Sequence, residues 1–97
     1  SYCTSKAAIH HLTSALALEW GPHQVRVNAV GPIIVPTQMN ADLRESETYM
    51  DEKMARIPLR RMATAQDIAA CVAFLASADA AMITGQTVFV DGGATFN

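Results

Sequence analysis

At 97 residues the chain has room for one domain and no more, because single domains usually run to about 100–200 residues. Hydrophobic residues make up 51% of it and charged residues 16%, a balance that excludes a disordered tail or a solvated coiled coil. A net charge of -2 at pH 7 offers no basic footprint, so neither nucleic acid nor an acidic membrane is an expected partner. The longest apolar run lies around residues 69–76, far short of the roughly 20 residues that span a bilayer. Cys3 and Cys71 have no CxxC spacing and no accompanying His pair, which fits a reduced, cytoplasmic protein better than a disulfide scaffold or a zinc site.

Residues 1–20 favour helix, since Ala and Leu are frequent, Gly and Pro are absent, and Gly21-Pro22 then stops the run. Tyr2, Lys6, Ile9, Thr13, Leu16 and Trp20 follow one another at steps of four and three, so they share a face, and Trp20 is expected in the core. Ala8, Leu12 and Ala15 form a neighbouring stripe, with Ala7 and Leu18 round the back. An apolar arc this broad predicts a second packing partner such as another subunit, hence a homodimer or homotetramer. Residues 25–30 alternate apolar and polar groups and read as a strand closed by Gly31-Pro32. Residues 33–36 are apolar but flanked by prolines and read as an extended loop.

The segment 37–61 mixes charges of both signs with several methionines, and short helices are expected around 42–44 and 48–55. A segment of this kind inside a compact domain predicts a substrate-binding lid. Thr64 is placed to cap a helix, with Asp67 three residues on favouring the positive end of its dipole. Ile68, Val72 and Leu75 give that helix a core face, running to about Ser77. Gly85 releases the chain into a β-branched strand, Thr87-Val88-Phe89-Val90, ended by Asp91-Gly92-Gly93. The order helix, strand, lid, helix, strand contains a strand–helix–strand unit, which predicts an α/β fold with parallel pairing and a right-handed connection.

The sharpest chemical feature is Tyr2 with Lys6. Four residues apart on a helix, their side chains differ by about 40° in direction and converge on one small ligand. A tyrosine hydroxyl has an ordinary pKa of about 10, and a neighbouring ammonium favours the phenolate, which brings it within reach of general acid/base work. His10, His11 and His23 lack metal-ligand spacing and read as surface histidines. Cys3 and the methionines Met39, Met50, Met54 and Met62 read as packing groups. Arg56, Arg60 and Arg61 form a small basic cluster, expected to pair with Glu45, Glu47, Asp51 and Glu52.

Tyr2-Cys3-Thr4-Ser5-Lys6, then Asn28-Ala29-Val30-Gly31-Pro32, then Asp91-Gly92-Gly93, in this order and at these separations, resemble the C-terminal portion of the short-chain dehydrogenase/reductase family from end to end. The resemblance implies that residues 1–97 are the C-terminal part of a single Rossmann-like, doubly wound parallel-sheet domain. It implies an NAD or NADP cofactor and a small alcohol/carbonyl substrate. Tyr2 would be the catalytic acid/base and Lys6 would bind the nicotinamide ribose and favour the phenolate. Pro32, Val35 and Thr37 would line the nicotinamide, with 37–61 as the lid. The family usually has Gly where Ile33 stands here, and the substituted loop with Thr37 and Met39 is similar to that of polyol- and xylulose-type reductases. The Gly-rich phosphate turn of such domains is expected upstream of Ser1. A chain of these residues alone is therefore expected to be inactive, and the competing expectation is a structural or interaction module.

Overall fold

The computed structural model describes residues 2–32, 51, 52 and 54–94, with side chains from Lys6 onward. The elements in chain order are α1 (Tyr2–Trp20), a 3-10 turn (Gly21–His23), β1 (Ala29–Pro32), α2 (Ala65–Ala76), a second 3-10 turn (Ala78–Ala80) and β2 (Thr87–Val90). Strands β1 and β2 are neighbours in a two-stranded sheet. The bonds leading into it climb both segments together: Gly85 N–H donates to the Val27 carbonyl at 2.7 Å, and Ala29 N–H to the Gln86 carbonyl at 2.9 Å. That progression is parallel pairing, and α2 lies in the connection, as a crossover requires. The residues fall into two compact units, one of Ser1–Gly31 with Cys71–Val88 and one of Pro32–Ala70 with Phe89–Asn97.

In the first unit α1 ends where the sequence demands. Gly21-Pro22 opens the 3-10 turn, and Gln24 takes a left-handed conformation (φ 62°) with its N–H on the Gly21 carbonyl at 2.9 Å. Among the described side chains of α1, Thr13 and Ala17 are buried. Gly85, with φ +75°, lies so close that an added Cβ would meet the Ala17 Cβ at 3.4 Å. His10 Nδ1 lies 3.3 Å from Thr87 Oγ1. Thr13 belongs to the stripe expected from periodicity, whereas Ala17 does not; the line that packs is Thr13–Ala17, with Gly85 beside Ala17. Trp20, expected in the core, is 43% exposed and Ile9 51%.

Residues 25–28 also depart from expectation. They precede the strand, and their hydrogen bonds run largely through side chains. Val27 N–H donates to Thr84 Oγ1 at 3.0 Å. Asn28 Nδ2 donates to the Ile83 carbonyl at 2.9 Å, while its Oδ1 accepts Gln86 N–H at 3.1 Å. Arg26 reaches the carbonyls of Leu75, Ala80 and Ser77 at 2.6, 2.9 and 3.3 Å. Those carbonyls end α2 and the turn after it, and a guanidinium there satisfies acceptors that a helix terminus leaves without intrahelical donors. On α2 itself Leu75 is buried as expected, whereas Val72, on the same face, is half exposed.

The second unit holds the start of α2. Thr64 N–H donates to Asp67 Oδ2 at 2.9 Å and Asp67 N–H to Thr64 Oγ1 at 3.1 Å, a reciprocal capping box. Ile57 is completely buried, and Met62 and Ala63 are nearly so. Leu59 N–H donates to the Gly92 carbonyl at 3.1 Å. Gly92 has φ +62°, and a Cβ there would stand 2.7 Å from Ile57 Cγ2. Only glycine satisfies both the backbone conformation and the space. Asp91 is buried and its Oδ1 accepts Gly93 N–H at 3.0 Å, so Asp91-Gly92-Gly93 forms the turn its sequence announces.

Candidate active site

The helical backbone from Tyr2 places Tyr2 and Lys6 one turn apart at the amino end of α1, the register their spacing predicts. Lys6 is half-buried. The Tyr2 side chain, Val35 and Thr37 lie outside the described residues, as does most of 37–61. Pro32 is the last residue of β1 and is exposed. In open parallel sheets, ligands bind outside the carboxyl ends of the strands, and Pro32 occupies such an end. Of the expected lid, residues 51, 52, 54 and 55 are helical and Ile57 is core.

In the second unit a cleft of about 580 Å³ opens between Pro58, Ala63, Phe89 and Gly93, with Arg61 and Asp67 at its polar side. Arg61 Nη1 and Asp67 Oδ2 are 2.9 Å apart. Among the described residues this replaces the pairing expected for Arg61: Asp67 is held by the capping box in one orientation, six residues along the chain, and presents an ordered acceptor. The Thr64 backbone N–H above all, then the Arg61 guanidinium, draw the Asp67 carboxyl down to about 2. Among the described residues no three His, Cys, Asp or Glu side chains gather as a metal site, and no helix is long and apolar enough to cross a membrane.

Sequence reasoning singled out Tyr2 and Lys6 by their spacing together with the family resemblance, and Pro32 by the resemblance. It missed Arg26 and Asn28 as anchors. Their partners lie about fifty residues or more along the chain, and no local periodicity announces a contact of that range.

A helix carrying the Tyr-x-x-x-Lys spacing, a parallel pair joined through a helix, and a glycine turn after the last strand define a portion of an α/β domain. The family model described as enoyl-(acyl carrier protein) reductase matches residues 1–95. The chain belongs to the short-chain dehydrogenase/reductase family. It is 43% identical to galactitol 2-dehydrogenase of Rhizobium johnstonii over 95 residues, which are 98% of this chain and 37% of that protein. It is 42% identical to L-xylulose reductase of Bos taurus over 96 residues, 95% of this chain and 38% of the relative. It also superposes on 4-hydroxyisoleucine dehydrogenase complexed with NADH with a TM-score of 0.91 at 31% identity, covering 99% of this chain and 40% of that one. The chain thus spans under half the length of the relatives it matches.

Proposed function

We propose that these residues serve an NAD(P)-dependent oxidoreductase acting on a sugar, a polyol or a small dicarbonyl. The observation that carries this reading is the helical register of Tyr2 and Lys6 at the start of α1, in a chain of this family. The polyol preference is supported by the similarity to galactitol 2-dehydrogenase and L-xylulose reductase, and the nicotinamide cofactor by the likeness to an NADH complex.

The residues fit such a cofactor in kind, because a tyrosine and a half-buried lysine one helical turn apart bring a hydroxyl and an ammonium, both donors to sugar hydroxyls, to one stretch of helix. When bound, NAD(P) supplies or accepts the hydride. In the reducing direction Tyr2 gives its hydroxyl proton to the carbonyl oxygen; in the oxidising direction its phenolate takes the proton of the alcohol. Lys6 favours that phenolate through its charge and holds the ribose. Pro32, Val35 and Thr37 line the nicotinamide, and 37–61 closes over the substrate as a lid. Residues 1–97 form part of one Rossmann-like domain in this reading, in a cytoplasmic protein.

Replacing Tyr2 by Phe in the full-length protein should lower kcat by about 10²–10⁴-fold with little change in cofactor affinity, as loss of a general acid/base does. Steady-state kinetics on an alcohol/carbonyl pair checks it, and an unchanged rate sinks the assignment. The exposure of Ile9, Leu12 and Leu18 on α1 supports assembly as a homodimer or homotetramer through that helix. A full-length monomer in size-exclusion chromatography contradicts it. The same exposure favours a second reading, in which residues 1–97 alone act only as a structural module. Tight nicotinamide binding by a chain of these residues alone rules that out.

A further inference from the structure

The segment 83–87 touches two elements of the first unit at once. Toward α1, which carries Lys6, Gly85 lies against Ala17 and Thr87 Oγ1 faces His10 Nδ1 at 3.3 Å. Toward β1, Thr84 accepts Val27 N–H at 3.0 Å, Gly85 N–H reaches the Val27 carbonyl at 2.7 Å, and the Gln86 carbonyl accepts Ala29 N–H at 2.9 Å. Asn28 closes this frame. Its amide is both donor and acceptor, and it uses both functions, on the Ile83 carbonyl and on Gln86 N–H, which flank Gly85.

A single amide that bonds residues three apart recognises one register of the opposing backbone. A slip by one residue would present like groups to each other and would turn each side chain of β1 to the opposite face. Because Gly85 of the same backbone lies near Ala17 and Thr87 faces His10, that register also sets how the segment 27–29 stands against the helix bearing Lys6.

We propose that Asn28 is a positioning residue of the cofactor site: by bridging Ile83 and Gln86 it fixes the frame on which α1, with Lys6, and β1 are both held. The inference rests on the oxidoreductase reading above and adds a residue that touches neither cofactor nor substrate. The test uses the full-length protein and reads NADH binding by nicotinamide fluorescence beside thermal unfolding. Asn28→Asp keeps the acceptor for Gln86 N–H and loses the donor to Ile83. Leu75→Ala, in the core of the same unit, serves as a destabilised control.

The expected result is a rise of about tenfold in the NADH Kd of Asn28→Asp at a temperature where it is fully folded. Leu75→Ala should lower Tm by as much or more and leave the Kd within about twofold of the parent. A Kd that follows Tm in both variants, or one unchanged in Asn28→Asp, overturns the proposal. Thr84→Val, which removes only the acceptor for Val27 N–H, carries the same test with a smaller rise if Asn28→Asp does not fold. Failure of the parent protein to bind NADH at all would instead overturn the oxidoreductase reading, and the proposal with it.

Discussion

The two compact units are held by different means. In the first, side chains bond to distant backbone: Arg26 to three carbonyls, Asn28 to a carbonyl and an N–H, Thr84 to Val27 N–H. In the second, the tie is steric, with fully buried Ile57 against Gly92, whose missing side chain makes the contact possible. Directional bonds tolerate small changes of volume but demand the right donor and acceptor. Close packing demands the right volume and a side chain with no polar group left unpaired.

The largest separation of the two should come from Ile57→Ala. Deleting most of a fully buried side chain costs about 2–5 kcal/mol, and urea unfolding should show it as a lowered midpoint. Arg26→Ala comes next, at about 1.5–3 kcal/mol for losing charged hydrogen bonds to carbonyls that end a helix. Arg26→Lys should recover only part of it, since an ammonium lacks the planar fork that reaches several acceptors. Gly92→Ala should cost about 1–3 kcal/mol, from the left-handed backbone and the contact with Ile57. Pairing it with Ile57→Val should give less than the sum of the two losses, and a strictly additive double mutant would deny the contact.

The smallest effect is electrostatic. The Asp67 carboxyl is drawn below its ordinary value of 3.8 to about 2, so the folded state holds its proton less tightly than the unfolded chain. Its stabilising contribution is complete above about pH 4, declines as pH falls, and is gone below about pH 2. Asp67→Asn should flatten this part of the acid unfolding curve measured by circular dichroism. A curve of unchanged shape would mean that the capping box does not respond to charge.

Several elements were legible in the sequence because their ends are written locally. Gly21-Pro22 closes α1, Gly85 opens the approach to β2, Asp91-Gly92-Gly93 closes it, and Thr64 with Asp67 starts α2. Each depends on neighbours within a few residues. The start of β1 was not legible. Alternation from Val25 to Asn28 looks like a strand, but Val27 N–H bonds the Thr84 side chain, and Asn28 bonds Ile83 and Gln86 through its own side chain. The packed face of α1 was legible only in part: Thr13 of the expected stripe is buried, whereas Ile9 and Trp20 are exposed. Periodicity marks the apolar stripes of a helix but does not say along which one a distant glycine will approach, and Gly85 chose Ala17. Of the candidate site, Tyr2 and Lys6 are singled out by their spacing together with the family resemblance, whereas the register that Asn28 holds is a property of the folded pair of segments.

The capping box and the parallel pair also belong to different times in the life of the chain. Thr64 and Asp67 are three residues apart, whereas Asn28 and Gln86 are separated by 58. Closing a loop of that size is a search whose entropy must be met before any contact rewards it, whereas a helix start needs only its own turn. The beginning of α2 is thus available as an early seed, and the bonds around Asn28 come late. Contacts absent from the transition state act on escape from the native state rather than on its formation. In this chain the polar frame beneath β1 is placed to govern how long the fold, once made, persists.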